Sequence, residues 1–153
     1  MAYSITEQYT RDIDWFILDN EKHVHVASAG GTLPNIIIER DTLNEANIRI
    51  AYDLPEIFDI EINPLLMEFL DINDNSLPDY LISFISMAKK GFYSYDKTFI
   101  SNRNDNKYHL VAKPSIMSQN NYELPNLQLL NLNIVIPVEW TPFELISILN
   151  NSL

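Results

Sequence analysis

At 153 residues, 46% apolar and 11% aromatic, the chain is long enough to bury a core and too rich in large apolar side chains for disorder. It has no cysteine, which excludes disulfides, thiolate metal sites and thiol nucleophiles. Ten basic against 21 acidic residues leave a net charge of −11. Such a field repels nucleic acid and anionic membranes and speeds the approach of a basic partner, although it also serves solubility alone.

Residues 1–12 are polar, lack the apolar segment of a signal peptide, and are expected to form a loose lead-in or a short helical turn. Ile13–Asp19 is β-branched and aromatic and reads as a strand. Asn20-Glu21-Lys22 is a turn and His23–Ser28 the return strand, giving a hairpin broken by Ala29–Pro34. Asn35–Glu39 is either a short strand or the approach to a helix. Leu43, Ala46, Ile50 and Leu54 share a helical face, and Thr42 with Glu45 has capping-box spacing, so a helix is predicted over about 42–53. Residues 55–62 are acidic and alternating, hence extended; Asn63-Pro64 opens a short helix over Leu65–Leu70, and Asp71–Ser76 is a polar loop.

Ser76–Asp96 is the most strongly patterned stretch. Ser76 and Asp79 have the form of a capping box, Pro78 falls in the first turn, and Tyr80, Leu81, Phe84, Ile85 and Ala88 recur at helical spacing. Lys89 and Lys90 suit the negative end of the dipole and Gly91 can stop the helix, after which Phe92–Asp96 switches to a two-residue period. The Asn-rich residues 97–106 are expected to be a mobile loop or broad hairpin turn, followed by a strand over Tyr108–Lys113 ended by Pro114. Residues 115–126 read as a loop and Gln128–Ile136 as a half-exposed strand. Thr141-Pro142-Phe143-Glu144 has a third capping pattern ahead of a terminal helix carrying Leu145, Ile146 and Leu149. With no repeat or linker, the pattern predicts one domain over 1–153 of the α+β class, a mostly antiparallel sheet with helices packed on one face. No apolar run approaches the roughly 20 residues that span a bilayer, and a cytoplasmic protein is expected.

Residues that carry chemistry are few. His23 and His25, two apart on a strand, share a face and with a carboxylate could chelate a metal, but an exposed strand face accounts for them without one, and no metal or cofactor is expected. Ser28–Thr32 lacks the spacing and lysine of a phosphate loop and reads as a glycine-permitted turn. No G-x-S-x-G elbow accompanies the serines. Asp71–Asn75 resembles a calcium loop only superficially, without its fixed Gly and Glu. Charge is more telling: residues 1–79 hold 16 acidic and 4 basic groups, a net of −12. Among them, Asp53, Glu56, Asp59, Glu61, Asp71 and Asp74, with Phe58 as an apolar anchor, make a candidate docking face for a basic protein. An enzyme using carboxylates or the His23/His25 pair, and a self-associating structural subunit, are the rival readings.

Asp14-Trp15-Phe16 with Asp19, then Ala27–Gly31 and Leu33-Pro34, is similar to the opening of a group of small Bacteroidetes-type proteins. Lys90–Asp96 and Tyr108–Pro114 resemble that group's central segments. Members of the group resemble immunity proteins, which neutralise polymorphic or contact-dependent toxins by binding them. The resemblance implies a non-enzymatic protein whose partner is a cognate toxin with a basic surface, a nuclease being one possibility. At the first hairpin turn this chain has Asn20-Glu21-Lys22 where others often have Gly.

Overall fold

The computed structural model describes residues 3–115, 129 and 132–151. Strands β1 (Asp14–Leu18) and β2 (His23–Ala27) form the expected antiparallel hairpin, with Asp14 opposite Ala27 and Leu18 opposite His23. Four further strands follow: β3 (Ile60–Ile62), β4 (Tyr93–Lys97), β5 (Lys107–Pro114) and β6 (Phe143–Glu144). The sheet runs β1-β2-β4-β5-β3, with β6 also on β5, and all pairs are antiparallel except β2–β4. A parallel pair needs a long crossover. Here it carries α2 (Asn35–Glu39), α3 (Asp41–Tyr52), β3, α4 (Leu66–Phe69) and α5 (Leu77–Lys89). Helices α1 (Ile5–Thr10) and α6 (Leu145–Asn151) flank the sheet in sequence. The fold is α+β with a mostly antiparallel sheet, as the pattern predicts.

Alternation along the strands separates two cores. Trp15, Ile17, Val24, Val26, Tyr95 and Leu110 pack on one side with Leu145, Ile146 and Leu149 of α6. On the other side Phe16 and Phe92 meet Ala51 and Leu54, while Ala27 and Val111 meet Leu66, Leu81 and Phe84. Helices α3, α4 and α5 therefore cover the sheet face that carries His25, Ser94, Asp96 and His109.

Helix α3 lies where expected but is turned. It buries Asn44, Asn47 and Ala51 rather than the Leu43, Ala46 and Ile50 stripe. Asn44 reaches the outer edge of β1, where its Oδ1 accepts from Phe16 N–H at 3.2 Å and its Nδ2 donates to the Asp14 carbonyl at 2.9 Å. It also donates to the Tyr3 hydroxyl. An edge strand's free backbone groups are thereby paired by a side chain, which a hydrophobic stripe cannot do.

Three capping boxes are not realised. Arg40 precedes α3 without a side-chain cap, and Ser76 is itself helical, at φ −87° and ψ −15°. A 3₁₀ turn over Asp74–Ser76 leads into α5, and Asn73 Oδ1 accepts from Ser76 N–H at 3.0 Å in its place. Phe143–Glu144 pairs with Lys107 and Tyr108 as β6, so Glu144 lies in a strand and not in a first helical turn. Asn35–Glu39 resolves to a helix. Of the strand expected over 128–136, residues 128, 130 and 131 and most of the 115–126 loop lie outside the described residues. Residues 132–136 form no strand, although Leu132 and Ile136 are buried and Asn133 and Val135 exposed, as the alternation requires. The C-terminal stop of α5 is as expected. Gly91 has φ 109°, its N–H donates to the Ala88 carbonyl and that of Phe92 to Met87, the paired bonds of a Schellman motif.

Candidate functional site

Two polar systems lie on the helix-covered side of the sheet. In the first, His25 on β2 places Nδ1 2.7 Å from Ser94 Oγ on β4 and Nε2 2.9 Å from Asp14 Oδ1 on β1. Parallel pairing of β2 with β4 sets His25 directly beside Ser94. The trio has the residue types of a nucleophilic triad, but His25 is 1% exposed and Ser94 0%, so the hydroxyl is closed to a substrate. Only the Asp14 side chain, 40% exposed, reaches solvent. This corrects the reading of His23 and His25 as an exposed strand face: the helix layer covers that face, with Phe84 of α5 against His25, so that His25 is buried and His23 half-buried. Nor does it supply the metal alternative: among the described residues no group of three His, Asp or Glu side chains is arranged to hold a cation.

The second system joins Tyr80 of α5, Asp96 of β4, His109 of β5 and Thr98. Tyr80 donates to Asp96 Oδ2 at 2.8 Å and lies 3.0 Å from His109 Nε2, while Thr98 Oγ1 lies 2.9 Å from His109 Nδ1. Burial pushes the Asp96 carboxyl up to about 7 and pulls the His109 imidazole down to about 3. Neither system was foreseen. The only signal is polar residues at inward positions of otherwise apolar strands, and without strand order they cannot be assembled.

The turn after β2 is a glycine-permitted one, as read. Ala29 and Gly30 have φ of 47° and 74°, and the Gly31 N–H returns to the Ser28 carbonyl at 2.8 Å. A Cβ on Gly31 would stand 2.8 Å from Cδ and Cε of Lys97. That lysine is buried, and its ammonium donates to the carbonyls of Phe99, Asn102 and Asp105 at 2.7–2.9 Å. The 98–106 segment is therefore a hairpin turn wrapped on a buried cation rather than an open loop. Asp19 is likewise turned inward, capping Glu21 and Lys22 N–H and pairing with the Lys22 ammonium and Ile136 N–H.

The acidic candidates are exposed, but they fall into separate groups. Asp53 caps the end of α3, with Glu56, Phe58 and Asp59 following it; this segment is held to the end of α5, where Ile57 and Phe58 N–H both donate to the Lys89 carbonyl. Glu61 on the outer strand β3 pairs with Lys113 at 3.0 Å. Asp71 and Asp74 precede the other end of α5, roughly 20 Å away at 1.5 Å per residue over 13 residues. Phe58 is half-buried and lines an open cleft of about 170 Å³ with Glu21, Lys22, His23, Gly91, Tyr93 and Pro114. Beside Asp53 and Glu56, Tyr52 and Ile57 project instead, 78% and 57% exposed. Lys90 holds this corner from beneath, donating to the Tyr52 carbonyl at 2.9 Å with its ammonium 5.6 Å from the ring centroid.

No helix among the described residues is long and apolar enough to cross a membrane. Compared with known proteins, the chain matches no protein-family model, no curated protein and no solved structure.

Proposed function

We propose that this chain is a cytoplasmic, non-enzymatic binding protein of the immunity type, neutralising a cognate toxin by laying an acidic corner into the toxin's basic active cleft. The observation that carries the reading is the 52–61 corner. Tyr52 and Ile57 stand exposed among Asp53, Glu56 and Asp59, on a backbone fixed to α5 and Lys90. Apolar side chains carried on a held backbone need little backbone ordering on binding, and flanking carboxylates steer them toward cations. His25, Ser94, Asp96 and His109, by contrast, are buried and held in hydrogen bonds within the fold. The fold also favours Tyr52 and Ile57 over Phe58 as anchors.

The test is to express the chain with the C-terminal domain of the protein encoded immediately upstream and to follow association by stopped flow. Binding is expected with a rate that falls as salt rises. Asp53→Asn with Glu56→Gln should slow association, and Tyr52→Ala should speed dissociation. An association rate indifferent to salt and to these carboxylates would remove the acidic-corner mechanism.

A further inference from the structure

Thr98, His109, Tyr80 and Asp96 stand in a line of three hydrogen bonds. A tyrosine hydroxyl has one proton to donate, and a neutral imidazole has one N–H and one lone pair, so the line has two self-consistent polarities. With Asp96 ionised, Tyr80 donates to the carboxylate, His109 donates from Nε2–H to Tyr80, and Thr98 donates to Nδ1. With Asp96 protonated on Oδ2, each donor reverses: Asp96 donates to Tyr80, Tyr80 to Nε2, and Nδ1–H to Thr98.

We propose that Thr98, His109 and Tyr80 form a proton wire to the buried Asp96, in which uptake of one proton reverses all three hydrogen bonds and moves the imidazole proton from Nε2 to Nδ1. The step balances when the transfers are concerted with delivery of a solvent proton to the Thr98 oxygen, so that neither an alkoxide nor an imidazolium forms. The Thr98 hydroxyl proton passes to Nδ1, the Nε2 proton to Tyr80 and the Tyr80 proton to Asp96. A proton from solvent restores the Thr98 hydroxyl.

The surroundings suit such a device. Asp96 faces Tyr80 from α5, His109 from β5, Asp12 from the segment before β1, and Lys97 on its own strand. Burial is the largest influence on the Asp96 carboxyl, and Asp12 acts with it to favour the proton. The Tyr80 bond, the Lys97 N–H and the Lys97 charge oppose them, leaving the group poised near neutrality. Burial also keeps the His109 imidazole uncharged, and the ring of Phe69 from α4 packs against it at 4.8 Å. Thr98 adjoins the exposed Phe99, and the half-buried Tyr80 adjoins the exposed Asp79. Reversal replaces the charge-assisted bond from Tyr80 by a neutral one, which loosens the tie between the first turns of α5 and the sheet at acid pH.

The experiment follows the His109 imidazole nitrogens and the Asp96 carboxyl carbon by NMR in the isotope-labelled full chain between pH 5 and 9. The expected result is a neutral imidazole throughout, Nε2–H at the alkaline end and Nδ1–H at the acid end, exchanging with the same midpoint as the Asp96 carbon. Tyr80→Phe should uncouple the two. Thr98→Val, which keeps the shape and removes the acceptor, should hold His109 as Nε2–H in both ranges. A single tautomer across the Asp96 titration overturns the proposal, as does an imidazolium at pH 5 or an Asp96 carbon that does not titrate in this range.

Discussion

The same two side chains make a strong statement about stability and pH. Native Asp96, at about 7, keeps a proton that an unfolded Asp near 3.8 has lost, so by itself it makes stability fall as pH rises between those values. Native His109, at about 3, lacks a proton that an unfolded His near 6.5 holds, so by itself it makes stability rise over that span. From pH 4 to 6.5 the folded chain carries one proton on Asp96 and the unfolded chain one on His109. The counts match, and the two slopes of about 1.4 kcal/mol per pH unit cancel. Each single variant should uncover the hidden slope of the other residue. Asp96→Asn should gain about 3 kcal/mol relative to the wild type between pH 4 and 6.5, and His109→Gln should lose about as much. The double variant should again run parallel to the wild type. Denaturant unfolding at half-unit pH steps measures this directly, and Asp12 and His23, whose values are also shifted, drop out of the comparison. Single variants that both track the wild type would show that the charges of Asp96 and His109 are not set by burial, and the reasoning would fail.

Asn44→Asp should cost about 2–4 kcal/mol by equilibrium unfolding, because a carboxylate cannot donate to the Asp14 carbonyl or the Tyr3 hydroxyl and brings a buried charge. A loss under about 1 kcal/mol would mean that water satisfies the β1 edge. Lys97→Met keeps the stem but strands three carbonyls; a loss of about 3 kcal/mol is expected, with amide exchange quickening first across 98–106. Gly91→Ala, at φ 109°, should cost about 1–2 kcal/mol in the same assay, while Gly91→Asn should cost less.

Local pattern carried the hairpin, α3, α5 and the β4 and β5 segments, because each buries a periodic apolar face that shows in a few consecutive residues. It failed where a polar side chain does a distant backbone's work. Asn44 is an unremarkable helical residue until β1 lies beside it as an edge strand, and this contact turns α3 away from its more apolar stripe. The caps failed for a related reason: Ser76 and Glu144 have the right spacing, but Asn73 had already started the α5 turn and β5 recruited Glu144 into a ladder. The acidic candidates were legible as exposed residues. Tyr52 and Ile57 were not, since helical spacing places Tyr52 equally well on a buried face and the exposure of Ile57 depends on the bond from its N–H to Lys89.

The parallel pairing of β2 with β4 explains why this chain keeps so much polar chemistry out of reach. It sets His25 against Ser94 and Ala27 against Asp96, and the antiparallel β5 then brings His109 beside Asp96. A stripe of polar side chains crosses a sheet face that α3, α4 and α5 must cover. Unpaired, each buried group would cost about 1–3 kcal/mol; paired, they are near neutral in stability and specify which strands lie side by side. An apolar stripe of the same volume would tolerate slippage, whereas here a one-residue shift of β2 along β4 separates His25 from Ser94, and one of β5 along β4 separates His109 from Asp96. On this argument the histidines of the central strands hold the register of the sheet. The exposed corner where α3 ends takes its position from α5, through the bonds of Ile57 and Phe58 N–H to the Lys89 carbonyl, and therefore from that register.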